Sequence, residues 1–94
     1  MRQYEVVLIL PPEAEESAVG GVVDRITQAL AGRGEVGNID RWGRRRLAHQ
    51  IQHQSEGYYV VIDVKAEPDV VAELERSLQL ADEVLRFKVV LKAA

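Results

Sequence analysis

The chain predicts an α+β fold of order β-α-β-β-α-β, with one four-stranded antiparallel sheet and two helices on one of its faces. Three observations carry that prediction. Two stretches repeat apolar residues at helical spacing, four others read as strands, and prolines and glycines punctuate the joins. With 94 residues, the expectation is a single domain over 1–94.

The elements follow in order. Tyr4 to Leu10 reads as a strand with Val6, Leu8 and Leu10 on one face and Val7 and Ile9 on the other, which suits a central position. Pro11-Pro12 ends it, because proline cannot donate to a sheet ladder. Val19, Val22, Val23, Ile26 and Leu30 then form one helical stripe. Ser17 is the candidate N-cap, with an earlier start after Pro12 as the alternative. Gly20-Gly21 weakens the helix by about 1 kcal/mol per glycine, so packing must hold it. Gly32 and Gly34 supply its stop.

Residues 35 to 51 read as one long strand, in which Trp42-Gly43 signals a bulge. Gln54-Ser55-Glu56-Gly57 is the expected turn. Tyr58 to Ala66 alternates, with Tyr58, Val60, Ile62 and Val64 predicted inward. Pro68-Asp69 opens the second helix, whose stripe is Val71, Leu74, Leu78 and Ala81 with Val70 beside it. Val84 to Lys92 alternates again, Leu85, Phe87, Val89 and Leu91 against Arg86, Lys88, Val90 and Lys92. Right-handed crossovers then place strands one and three in the middle. This is the ferredoxin-like plan, and it leaves one sheet face without a covering layer.

Charge is unevenly distributed. The net charge is −3, yet two segments hold no acid at all. Residues 41–54 carry Arg41, Arg44, Arg45 and Arg46 with His49 and His53, and residues 86–94 carry Arg86, Lys88 and Lys92. Local basic strips of this kind are the footprint of a polyanion site. Arg2 opens the first strand, beside the last, and is expected to join the terminal group.

Several function classes find no support. The chain has no cysteine, which excludes disulfides, thiolate metal sites and thiol catalysis. No apolar run approaches a bilayer span and no signal-peptide pattern opens the chain, so a cytoplasmic protein without membrane attachment is expected. His49 and His53 do not converge on an extended strand, so no metal is expected. No nucleophile elbow, Walker loop or dinucleotide fingerprint is present, and neither an enzyme activity, a cofactor nor a small-molecule substrate is expected. Acylphosphatase shares the plan and grips phosphate in a glycine-rich loop after its first strand. Pro11-Pro12-Glu13 occupies that place here with few amide donors and the wrong charge.

Nucleic-acid binding fits better. Arginine's planar fork suits phosphate oxygens. Arg44, Arg45 and Arg46 point to alternate faces of a strand unless a bulge at Gly43 re-aims them. RNA-recognition motifs share the plan, but their third-strand signature is matched by Glu56-Gly57-Tyr58-Tyr59-Val60 only at the glycine and first aromatic. Backbone and groove-shape contacts are therefore expected to dominate. Trp42 is either a half-buried strand residue or the anchor of an interface with a partner chain.

Arg2-Gln3-Tyr4-Glu5 resembles the Arg-x-Tyr-Glu opening of the family of the sixth protein of the bacterial small ribosomal subunit. Gly43-Arg44-Arg45-Arg46-Leu47-Ala48-His49-Gln50-Ile51 is similar to that family's signature of glycine, any residue, basic, polar, leucine, small, tyrosine, any residue, isoleucine. His49 stands where tyrosine is usual. The resemblance covers essentially the whole chain. It implies the ferredoxin-like fold and a structural role: binding the central domain of 16S ribosomal RNA in the platform as a heterodimer with the eighteenth small-subunit protein. With it, Arg2, Arg44, Arg45, Arg46, Arg86, Lys88 and Lys92 are the candidate RNA-binding residues; the matched motif supports Arg2, Arg45 and Arg46 best, and the others rest on charge and strand parity. The chain closes on Lys92-Ala93-Ala94, so few tail contacts are expected. A homodimeric ferredoxin-like interaction module and an acylphosphatase-like hydrolase are the alternative readings.

Overall fold

The computed structural model describes residues 1–14, 16–51 and 54–92. Six elements follow one another: β1 (Arg2–Leu10), α1 (Glu16–Leu30), β2 (Gly34–Ile51), β3 (Gln54–Ala66), α2 (Pro68–Gln79) and β4 (Arg86–Leu91). The sheet order is β2-β3-β1-β4 with every pairing antiparallel, so β1 and β3 are central as expected. His53 and the closing Ala93-Ala94 lie outside the described residues.

One face of the sheet makes the core. Tyr4, Val6, Leu8 and Leu10 of β1 and Val60, Ile62, Val64 and Ala66 of β3 are buried against Val19, Val22, Ile26 and Leu30 of α1 and Val70, Val71, Leu74 and Leu78 of α2. Each set repeats at the period of its own element, two for the strands and about 3.6 for the helices. Phe87 and Val89 extend the layer from β4. The two glycines of α1 are tolerated because four fully packed aliphatic side chains hold that helix.

Helix boundaries follow local chemistry. Proline at the first turn of α2 has no N–H to leave unsatisfied, and the Val71 amide donates to the Glu67 carbonyl at 3.1 Å. α1 begins at Glu16, so Ser17 lies inside the helix and is not its cap. Glu16 sits instead where negative charge meets the positive end of the helix dipole.

Two further expectations are corrected. Residues 55–57 belong to β3 and not to a turn. Arg45 pairs with Gly57, Arg46 with Glu56 and Ile51 with Gln54, so the β2–β3 hairpin runs on past the end of β1. The terminal strand begins at Arg86, after a turn at residues 82 and 83. The expected bulge is present: the register shifts between Arg41 and Gly43, and Gly43 has φ 82°. A residue with a side chain is strained at that angle. Gly57 meets a different limit, since a Cβ there would stand 2.5 Å from Ile9 Cγ2 and 3.4 Å from Leu47 Cδ2. Among the described residues no helix is long and apolar enough to cross a membrane.

Candidate nucleic-acid interface

The face of the sheet away from the helices is built by strand alternation. Side chains opposite one another in an antiparallel pair share a face. Ile9 pairs with Tyr59 and Arg86, and Val7 with Val61 and Lys88. Two rows therefore cross the open face. One runs from Gly43 through Tyr59 and Ile9 to Arg86, the other from Asp40 through Val61 and Val7 to Lys88. The middle of each row is apolar and the β4 end is cationic. Arg86 and Lys88 have no carboxylate within ion-pair distance among the described residues.

The β2 edge carries the second group. The bulge throws Trp42 outward, where it stays 48% exposed. Its ring stacks on Tyr59 with centroids 6.2 Å apart and planes within 11°. The Arg45 guanidinium lies 5.7 Å from the indole centroid. The indole N–H donates to Asp40 Oδ2 at 3.2 Å, which fixes the ring's orientation. Trp42, Tyr59 and Arg45 thus form one ordered unit about three strand spacings, or ~14 Å, from β4.

The arginine triplet is divided between faces. The bulge precedes it and does not stop its alternation. Arg45 lies opposite Gly57 on the open face, whereas Arg44 and Arg46 pair with Tyr58 and Glu56 on the helix side. Arg44 Nε donates to the Pro12 carbonyl at 3.2 Å. Arg41 is held there too, 2.9 Å from Glu16.

The terminal cations divide as well. Lys92 lies on the open face, but its Nζ stands 3.4 Å from Asp63 Oδ1. Arg2 does not join it: its partner is the buried Ala66, which puts Arg2 on the helix side at the corner of the sheet. The structure therefore brings together Arg45, Arg86 and Lys88 as open-face cations flanking an apolar band, with Lys92 at the far end and Arg2, Arg44 and Arg46 on the other face. Tyr59 and Lys65 are open-face residues that sequence reasoning did not single out. The even alternation of β3 placed both on that face, but only the bulge brings an indole onto Tyr59. Among the described residues no three His, Cys, Asp or Glu side chains gather as a metal site.

Comparison with known proteins decides the family. A family profile described as "Ribosomal protein S6" matches residues 3–91. The chain belongs to the ribosomal protein S6 family. Small ribosomal subunit protein bS6 of Streptomyces griseus is 49% identical over 90 residues, covering 95% of this chain and 94% of that protein. Small ribosomal subunit protein bS6 of Moorella thermoacetica is 41% identical, covering 93% and 90%. The crystal structure of 30S ribosomal protein S6 from Thermotoga maritima superposes with a TM-score of 0.83 at 27% identity, covering 97% of this chain and 87% of that one. The ferredoxin-like arrangement of four strands and two helices is thus shared with a solved family member. The family is one of structural proteins of the small ribosomal subunit, not of enzymes, which removes the hydrolase alternative.

Proposed function

We propose that the chain binds the central domain of 16S ribosomal RNA in the platform of the small subunit, in the bacterial cytoplasm, as a heterodimer with the eighteenth small-subunit protein. One observation carries the reading: an uncovered sheet face with an apolar centre, bounded at both edges by cations that no described carboxylate neutralises. Arg45, Arg86 and Lys88 supply the direct phosphate contacts. Lys92 joins them once Asp63 releases it, and Arg2, Arg44 and Arg46 reach RNA that wraps around the sheet corners. Displacement of counterions by these groups drives the encounter. Trp42 anchors the partner protein. It is exposed, large and pre-oriented by Tyr59 and Asp40, the properties of an interface hot spot.

The acidic helix faces repel RNA and restrict docking to one orientation. With a net charge of −3, the chain alone binds RNA weakly, and tight binding requires the partner. Footprinting on a central-domain fragment tests this. Protection is expected with both proteins together and not with this chain alone; equal protection without the partner overturns the heterodimer. The apolar centre of the open face, half-buried at Val7, Ile9 and Tyr59 and buried at Val61, also favours a second reading, a homodimer packed face to face. A tight dimer in sedimentation, indifferent to RNA, would support it.

A further inference from the structure

We propose that a cavity at the far end of the open face holds one unpaired nucleotide of the bound RNA. This rests on the RNA-docking reading above and deepens it. The cavity measures about 290 Å³, the lower end of the range for small-ligand sites. It arises from a local fault in β2. Val36 pairs with Val64 and Ile39 with Ile62, so Gly37 and Asn38 together face the single residue Asp63. Gly37 brings no side chain to this point and lines the cavity with its backbone.

The lining has two kinds of chemistry. Glu35, Lys65 and Gln3 are register partners across β2, β3 and β1, and the Lys92 amide donates to the Gln3 carbonyl at 2.9 Å. These four residues cross the end of the sheet in one row and line the cavity with Asn38 and Asp63. A simple anion would meet Glu35 and Asp63, and a simple cation would meet Lys65 and Lys92. A nucleotide satisfies both, because its phosphate is anionic while its base edge presents donors and acceptors. Lys65 and Lys92 take the phosphate. The carboxamides of Gln3 and Asn38 donate and accept at the base edge. The carboxylates accept from amino and imino N–H groups, which guanine presents side by side and uracil does not. Lys92 is available for this, since its contact with Asp63 is long at 3.4 Å and both side chains are more than a third exposed.

The test uses the heterodimer and three RNA hairpins that differ at one position: no bulge, a bulged guanosine or a bulged uridine. The guanosine hairpin is expected to bind about tenfold tighter than the unbulged one, with the uridine hairpin between them. Gly37→Leu fills the cavity without altering charge. Its Cβ would stand 3.4 Å from Asp63 Cβ, an ordinary contact, so the strand can hold it. It should abolish the gain from the bulge and leave the unbulged affinity unchanged. Asn38→Ala, a second variant that fills nothing, should narrow the difference between guanosine and uridine. Equal, salt-dependent binding of all three hairpins overturns the cavity assignment and leaves RNA docking standing. Equal loss of affinity for all three in Gly37→Leu, or dissociation of the partner protein by that variant, also overturns it. No salt-dependent binding of any hairpin defeats both readings.

Discussion

Removing the charge of Arg86 and Lys88 together measures how far RNA docking depends on the β4 edge. Both side chains rise from the open face opposite Ile9 and Val7, and no described carboxylate pairs with either. Each phosphate neutralised on a single-strand-like site contributes about −0.7 to the slope of log affinity against log salt. The double variant Arg86→Gln/Lys88→Gln should therefore flatten the slope by about 1.4. Near 0.15 M salt each lost contact corresponds to about fourfold in affinity, and the pair to about 15-fold. Arg41→Gln is the matched control. Arg41 is engaged by Glu16 at 2.9 Å on the helix side, so its removal should leave the slope unchanged. The assay is fluorescence anisotropy of a labelled central-domain fragment with the heterodimer over a salt series. An unchanged slope in the double variant, or equal flattening by Arg41→Gln, refutes the assignment of the open face.

Three further outcomes are expected. Leu74→Ala empties a fully buried position between α2 and the sheet and should lower stability by about 2–5 kcal/mol, read by urea unfolding with an unchanged m-value. Gly43→Val forces a β-branched residue to φ 82°. It should destabilise by about 1–2 kcal/mol or more and displace Trp42 from Tyr59, seen as a shift in the emission of the only tryptophan. Trp42→Leu removes a stacked pair and a cation–π contact, together worth about 1–2 kcal/mol of stability, but should weaken partner binding by tenfold or more in calorimetry.

Sequence carries most of the fold because β1, β3, β4 and both helices hold their periodicity without interruption, β2 alone being broken by register shifts. The alternation of β1 and β3 and the stripe at Val71, Leu74 and Leu78 leave one arrangement that buries all of them. The bulge was legible in Gly43 because only a glycine there relieves the strain. The hairpin's length was not. Ser55, Glu56 and Gly57 have turn composition, and it is the pairing of Glu56 with Arg46 and Gly57 with Arg45 that keeps them extended. The face of Arg2 was legible and misread: it shares parity with Tyr4, Val6 and Leu8, which point at the helices. Grouping it with Arg86 and Lys88 followed strand adjacency and ignored that parity. The cavity at Gly37 was not read, although Gly37-Asn38 inside the strand is the same kind of bulge signal as Gly43; that the slip opens a cavity depends on how β2 is paired with β3.

The distribution of ion pairs explains how an acidic chain can offer a cationic surface. On the helix side three arginines are matched by carboxylates, Arg25 with Glu83, Arg33 with Glu73 and Arg41 with Glu16, while Arg2, Arg44 and Arg46 at its corners have no carboxylate within ion-pair distance among the described residues. Exposed pairs of this kind add little stability, about 0–1 kcal/mol each, so holding the fold together is not their main consequence. They neutralise positive charge where the helices carry an excess of acid, which leaves that side repulsive to phosphate. On the open face the acids are differently placed. Asp40 accepts from the indole, Asp63 lies against Lys92, Glu35 sits opposite Lys65 and Glu5 sits between Asp63 and Val90, while Arg45, Arg86 and Lys88 stay without an acidic partner within ion-pair distance among the described residues. The net charge of −3 is therefore a sum over two unlike surfaces. RNA approaching the helix side meets repulsion, and RNA approaching the sheet meets cations at both edges. Orientation on the RNA follows from that asymmetry before any base is read.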